Sequence, residues 1–210
     1  MLNMFKIFYS IIKTYKKDIL KIFFFEIYFF IKHSDSSIKI LIKAFFDKER
    51  RNTIGNSFIP CPLYYALIIA EFINKKKIKS ILDLGSGHGR LTNFLSYKTN
   101  AKINGYEFDK EIYKKSLQVK NKDVVLKQRN ILKINYEINS FDCFIFSDPL
   151  KYKKDLEKVV KKICQIKQNN KFFIIFININ KNKNKFMKKK KLIKQHISSV
   201  KKNIKFYYFD

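Results

Sequence analysis

Apolar positions recur along this chain at two periods. Over residues 1 to 32, Phe5, Phe8, Ile12, Tyr15, Ile19 and Phe23 fall on one helical face, while Lys6, Lys13, Lys17 and Lys21 fall on or near the other. That is the 3.6-residue period of an amphipathic helix. The pattern closes into Ile22 to Ile31, apolar all round except for Glu26. Ten residues are too few to cross a bilayer as a helix, and an acid at the centre makes insertion costlier. Ser34-Asp35-Ser36-Ser37 breaks the stretch and offers an N-cap for a second short helix through Phe46. Asn52 to Pro62 is turn-forming, holds two of the three prolines, and reads as a rigid loop entering a helix over Leu63 to Ile73.

From there strands and helices alternate. An apolar run ends at Leu84 and is followed by a helix beginning near His88. A second strand, Ile103 to Glu107, precedes a helix capped by Asp109 and running to about Gln118. A strand over Val124 to Gln128, a buried strand within Phe141 to Leu150, a helix from about Lys151 to Ile166 and a strand over Phe172 to Ile179 come next. A basic helix around Lys183 to Lys194 and a closing pair, His196 to Val200 and Ile204 to Phe209, complete the series. Five strands in βα alternation with a closing hairpin predict an α/β protein with one seven-stranded sheet flanked by helices. The expected division is a helical extension over 1–57 and a single α/β domain over 58–210.

Composition changes this picture in one respect. The chain has 210 residues, 46% of them hydrophobic, enough for one full core. Its net charge of +28 is of the kind that gathers polyanions. Yet only Arg50, Arg51, Arg90 and Arg129 are arginines, and Lys, Asn, Ile, Phe and Tyr, all with A/T-rich codons, are abundant together. Codon bias therefore accounts for the lysines as readily as nucleic-acid binding does. Cys61, Cys143 and Cys164 form no pair, and His33, His88 and His196 form no ligand cluster, so neither a disulfide framework nor a metal site is expected. No small-residue cleavage site follows the first apolar stretch, so a secretory signal is not expected. The setting implied is cytoplasmic, with residues 1–32, six lysines against two acids, available for peripheral contact with an anionic membrane or for packing on the domain.

The candidate chemistry lies in Asp83-Leu84-Gly85-Ser86-Gly87-His88-Gly89-Arg90, which holds three of the five glycines. Glycines let a strand turn sharply into a helix and let a ligand approach the main chain, while the helix N-terminus favours an anionic group. Glu107 ends the next strand about 22 residues after Gly85, the spacing at which an acid reaches a ribose hydroxyl pair. A dinucleotide fingerprint wants a different third glycine, so NAD is disfavoured. The D-x-G-x-G-x-G pattern followed by a strand ending in Glu resembles class I S-adenosylmethionine-dependent methyltransferases, which implies their Rossmann-like sheet. The resemblance further implies that Gly85, Ser86, Gly87 and Gly89 wrap the methionyl portion of S-adenosylmethionine, that Asp83 helps hold its ammonium end, and that Glu107 takes the ribose hydroxyls. It puts Asn130 at the adenine.

Phe58-Ile59-Pro60 upstream, the glycine loop and Gly105-Tyr106-Glu107 together look like the lysine methyltransferases of the ATP synthase c subunit. His88 stands where that group has an acid, and Phe108-Asp109 replaces a Leu-Asn pair. Asp148-Pro149, after the fourth strand, is reminiscent of the [N/D]-P-P-[Y/F] motif of amino-group methyltransferases. It departs from that motif at Leu150. Asp148 and Pro149 are thus the candidate catalytic pair. A protein lysine is the first acceptor these features suggest; RNA or DNA methylation and a non-catalytic scaffold are the alternatives.

Overall fold

The computed structural model describes residues 19–32, 61–168, 170–179, 187, 195–201 and 204–209. Seven strands form one sheet: β1 Ser80–Leu84, β2 Lys102–Glu107, β3 Val124–Gln128, β4 Cys143–Ser147, β5 Phe172–Ile177, β6 Gln195–Lys201 and β7 Ile204–Phe209. Their spatial order is β3-β2-β1-β4-β5-β7-β6. The pairs β1–β2, β2–β3, β1–β4 and β4–β5 are parallel, whereas β7 runs antiparallel to β5 and to β6. The order turns back between β1 and β4, where an open sheet leaves a crevice at the carboxyl ends of its strands.

The helices are α1 Ile19–Lys32, α2 Leu63–Lys75, α3 Arg90–Lys98, α4 Lys110–Leu117 and α5 Lys153–Ile166. Strands β1, β4 and β5 read as nearly continuous apolar runs because both faces of the sheet are covered. Ile81, Ile103, Cys143, Ile145 and Ile175 pack with α1, α2 and α3 on one face. Leu82, Leu84, Tyr106, Phe144 and Phe146 pack on the other with Leu156, Val159, Val160 and Ile163 of α5, the helical spacing that lets one face bury. Because side chains alternate along a strand, Asp83 shares the first face, paired in register with Gly105 of β2.

Local chemistry sets several boundaries. Asp109 caps α4 by accepting from the amides of Glu111 and Ile112, as its sequence position predicts. Helix α3 starts at Arg90, two residues later than expected, because Gly89 is still left-handed at φ +81. Strand β5 stops at Ile177 rather than Ile179, since Asn178 turns to φ +58. The helix expected over residues 1–18, the short helix through Phe46, the loop from Asn52 to Pro60 and most of the basic helix at Lys183–Lys194 lie outside the described residues.

Candidate active site

The loop after β1 is tied down by its own backbone. Gly85 and Ser86 both donate their amides to the Tyr106 carbonyl, at 2.9 and 3.0 Å, and Gly89 donates to the Ser86 carbonyl at 2.9 Å. The Gly87 amide donates to Glu107 Oε2 at 2.8 Å, and the Asp109 amide to Oε1 at 2.9 Å. Four of the loop amides are therefore engaged with the end of β2 or with the loop itself. Glu107 is oriented from both oxygens, which fixes its carboxylate at the crevice.

Gly85, Gly87 and Gly89 have φ of +94, +56 and +81, so all three occupy conformations that side chains resist. At Gly85 there is a second reason: a Cβ would lie 2.3 Å from Pro149 Cβ. The bare backbone here makes room for Pro149. The loop after β1 and the loop after β4 thus touch, and sequence reasoning, which assigns the glycines to ligand approach, does not find that contact. Gly105 is similar, for a Cβ there would meet Ser86 Cβ at 2.8 Å and Leu126 Cδ2 at 2.7 Å. A glycine within a strand is the signal for such close approach.

Below the loop the polar groups are buried. Asp83 is 1% exposed, and its Oδ1 has no hydrogen-bond partner among the described residues. Burial, with the Glu107 charge adding to it, pushes the Asp83 carboxyl up to about 7. Ser86 Oγ is likewise buried without a partner among the described residues. Cys61 lies in the same region, its thiol pushed up by burial. His88, in the loop itself, is also buried.

Asp148 has φ +45, directly before a proline. The left-handed region is sparsely used by non-glycine residues, and a following proline restricts a residue towards extended backbone, so the conformation is held against its preference. Asp148 and Pro149 are half-buried, and Leu150 is buried. Asn130, in contrast, uses its side-chain oxygen to accept from the Leu132 amide at 2.9 Å, starting the short 3-10 turn Ile131–Lys133. That is the job of a turn asparagine.

The structure also brings a residue of the extension to this site. Glu26 of α1 pairs with the guanidinium of Arg90, the first residue of α3, and its other oxygen accepts from the Leu63 amide at the start of α2, at 2.9 Å. Arg90 is 5% exposed. A lone acid in an apolar run, which must find a partner if it is buried, is the available signal for this ion pair.

A family model described as a methyltransferase domain matches residues 75–209. A search of curated proteins finds no match. Among solved structures, the fold is similar to that of a Staphylococcus aureus protein provisionally assigned as a caffeoyl-CoA O-methyltransferase, with 13% identity and a TM-score of 0.62 over 91% of this chain and all of that one. It is similar to the PH0226 protein of Pyrococcus horikoshii OT3, with 16% identity and a TM-score of 0.54 over 70% of this chain and 89% of that one. A Methanococcus maripaludis protein provisionally assigned as an S-adenosylmethionine-dependent methyltransferase gives 18% identity and a TM-score of 0.51, over 70% and 84%.

Proposed function

This chain belongs to the methyltransferase-domain family, and from that premise we propose that it methylates an acceptor nitrogen, with a protein lysine as the first candidate. S-adenosylmethionine is the cofactor, and it supplies an electrophilic methyl group on a sulfonium. The residues present fit it. Three glycines at positive φ shape the loop, the buried Asp83 oxygen has an unmade hydrogen bond of the kind an ammonium group would complete, and Glu107 is already oriented. In this reading Gly85 to Gly89 with Asp83 hold the methionyl end and Glu107 accepts from the ribose hydroxyls. Asn130, committed to its turn, lines the adenine side.

The observation that supports an acceptor role for Asp148 is its strained backbone beside the glycine loop. A conformation of this kind costs on the order of 1–3 kcal/mol and persists where the surroundings impose it, often at functional sites. Pro149, seated against Gly85, supplies that imposition. The Asp148 carboxylate then orients the acceptor amine, accepting a hydrogen bond from it once it is uncharged, while the loop excludes water and keeps nucleophile and methyl in line.

Asp148→Ala should lose roughly 10²–10⁴-fold in turnover and keep cofactor affinity, as expected for an orienting group. Unchanged turnover would remove Asp148 from the site. The acceptor is identified by transfer of label from methyl-tritiated S-adenosylmethionine into extract of cells lacking this gene, the products being divided by protease and nuclease. Protease-sensitive label supports the lysine reading. The net charge of +28 favours a second reading, methylation of RNA or DNA. In that case the label is nuclease-sensitive and binding to polyanions falls steeply with salt.

A further inference from the structure

We propose that the outward face of α1 docks into the interface of an anionic lipid bilayer. Leu20, Phe23, Phe24 and Ile27 are 68%, 59%, 66% and 40% exposed, large apolar side chains left in water on a helix that is otherwise committed. Their spacing of i, i+3, i+4 and i+7 makes one continuous stripe. Ile22, on the other face, is buried in the core beneath α2. Glu26, also on that face, is fixed by Arg90 and the Leu63 amide. These contacts set the rotation of the helix, so the stripe cannot turn inward without breaking a buried ion pair.

Charge selects the occupant. A second copy of a chain carrying +28 is repelled, whereas an anionic headgroup layer attracts it. Within residues 1–32 six lysines stand against Asp18 and Glu26, and Glu26 is already neutralised by Arg90. Lys21 is exposed next to the stripe. Spanning is not the mode, because Ile22 and the Glu26 contacts to Arg90 and the Leu63 amide hold α1 against the domain. No described helix is long and apolar enough to cross a membrane. An amphipathic helix with aromatic anchors and lysines lies in the interfacial plane. Since Arg90 directly follows the glycine loop, docking through α1 holds the candidate site at a fixed position relative to the bilayer. The inference does not depend on which acceptor is methylated.

The test uses the full chain and sedimentation with vesicles of phosphatidylcholine, alone or with about 30% phosphatidylglycerol. Binding is expected to the anionic vesicles, at least about tenfold weaker for a Phe23→Ser, Phe24→Ser double variant whose thermal melt is unchanged. The protein has no tryptophan, so Phe24→Trp gives a background-free probe whose emission should shift to the blue on anionic vesicles. Equal binding by the double variant would show attraction through charge alone and overturn the proposal. So would the absence of a spectral shift, or a double variant that dissociates a dimer while its vesicle binding is unchanged.

Discussion

Replacing Asp83 by asparagine isolates the buried carboxyl below the loop. The carboxyl is 1% exposed, with one oxygen unpartnered among the described residues, and burial with the Glu107 charge raises it from 3.8 to about 7. Below about pH 4 the folded and unfolded chains both carry this proton and no penalty exists. As pH rises from about 4 to about 7, the unfolded chain ionises while the folded one resists, so stability falls; above about 7 the penalty is complete. A carboxyl raised from 3.8 to about 7 carries a penalty of about 4 kcal/mol in full, of which about 2 to 3 kcal/mol develops between pH 5 and 8.

The carboxamide of the Asp83→Asn variant cannot ionise. Its stability relative to the natural protein should therefore improve by about 2 to 3 kcal/mol between pH 5 and 8, whatever its absolute offset from burying an amide. Urea denaturation at the two pH values measures this, because titration of groups that do not interact with Asp83 cancels in the difference. The same variant should bind S-adenosylmethionine roughly tenfold more weakly, since the charge-assisted bond to the ammonium group proposed for Asp83 is lost. A stability difference that is the same at both pH values would refute the argument, showing Asp83 ionised in the fold at no cost.

Two further substitutions follow from the packing around the loop. Gly85→Ala introduces a Cβ 2.3 Å from Pro149 Cβ at φ +94; a cost of about 3 kcal/mol or more is expected from strain and overpacking together, and a denaturation midpoint unchanged from the natural protein would contradict the contact. Glu26→Gln retains an acceptor for the Leu63 amide but leaves Arg90 as a buried, unpaired charge. It should cost about 2 kcal/mol, less than outright removal of a partner, and protection of the α1 amides from hydrogen exchange should fall in parallel; unaltered protection would mean that the Glu26–Arg90 pair does not hold α1 in place.

Elements whose cause is local are legible in the sequence. The β1–loop–α3 unit is marked by three clustered glycines, α4 by Asp109 at its cap, and α5 by its apolar spacing. What depends on distant partners is not. Nothing in β6 or β7 says that β7 inserts between β5 and β6. Glu26 stands out only as an interruption of an apolar run, because Arg90 is 64 residues away and no periodicity connects them. Gly105 is visible as a motif glycine, but the reason for it, the Ser86 side chain over the strand, lies in another loop.

Two of the glycines around the candidate site, Gly85 and Gly105, make room for other parts of the protein. Pro149 occupies the space of a Gly85 Cβ, and Ser86 that of a Gly105 Cβ. The loop is consequently wedged between the ends of β2 and β4, with its amides engaged by Tyr106 and Glu107. The loop and the Asp148-Pro149 turn are therefore packed against each other: a side chain added at Gly85 pushes Pro149, and with it the strained backbone of Asp148. A variant at Gly85 that loses turnover is for this reason not evidence about cofactor contact alone. The separation has to come from Asp148→Ala, which leaves Gly85 and Pro149 in place and removes only the carboxylate.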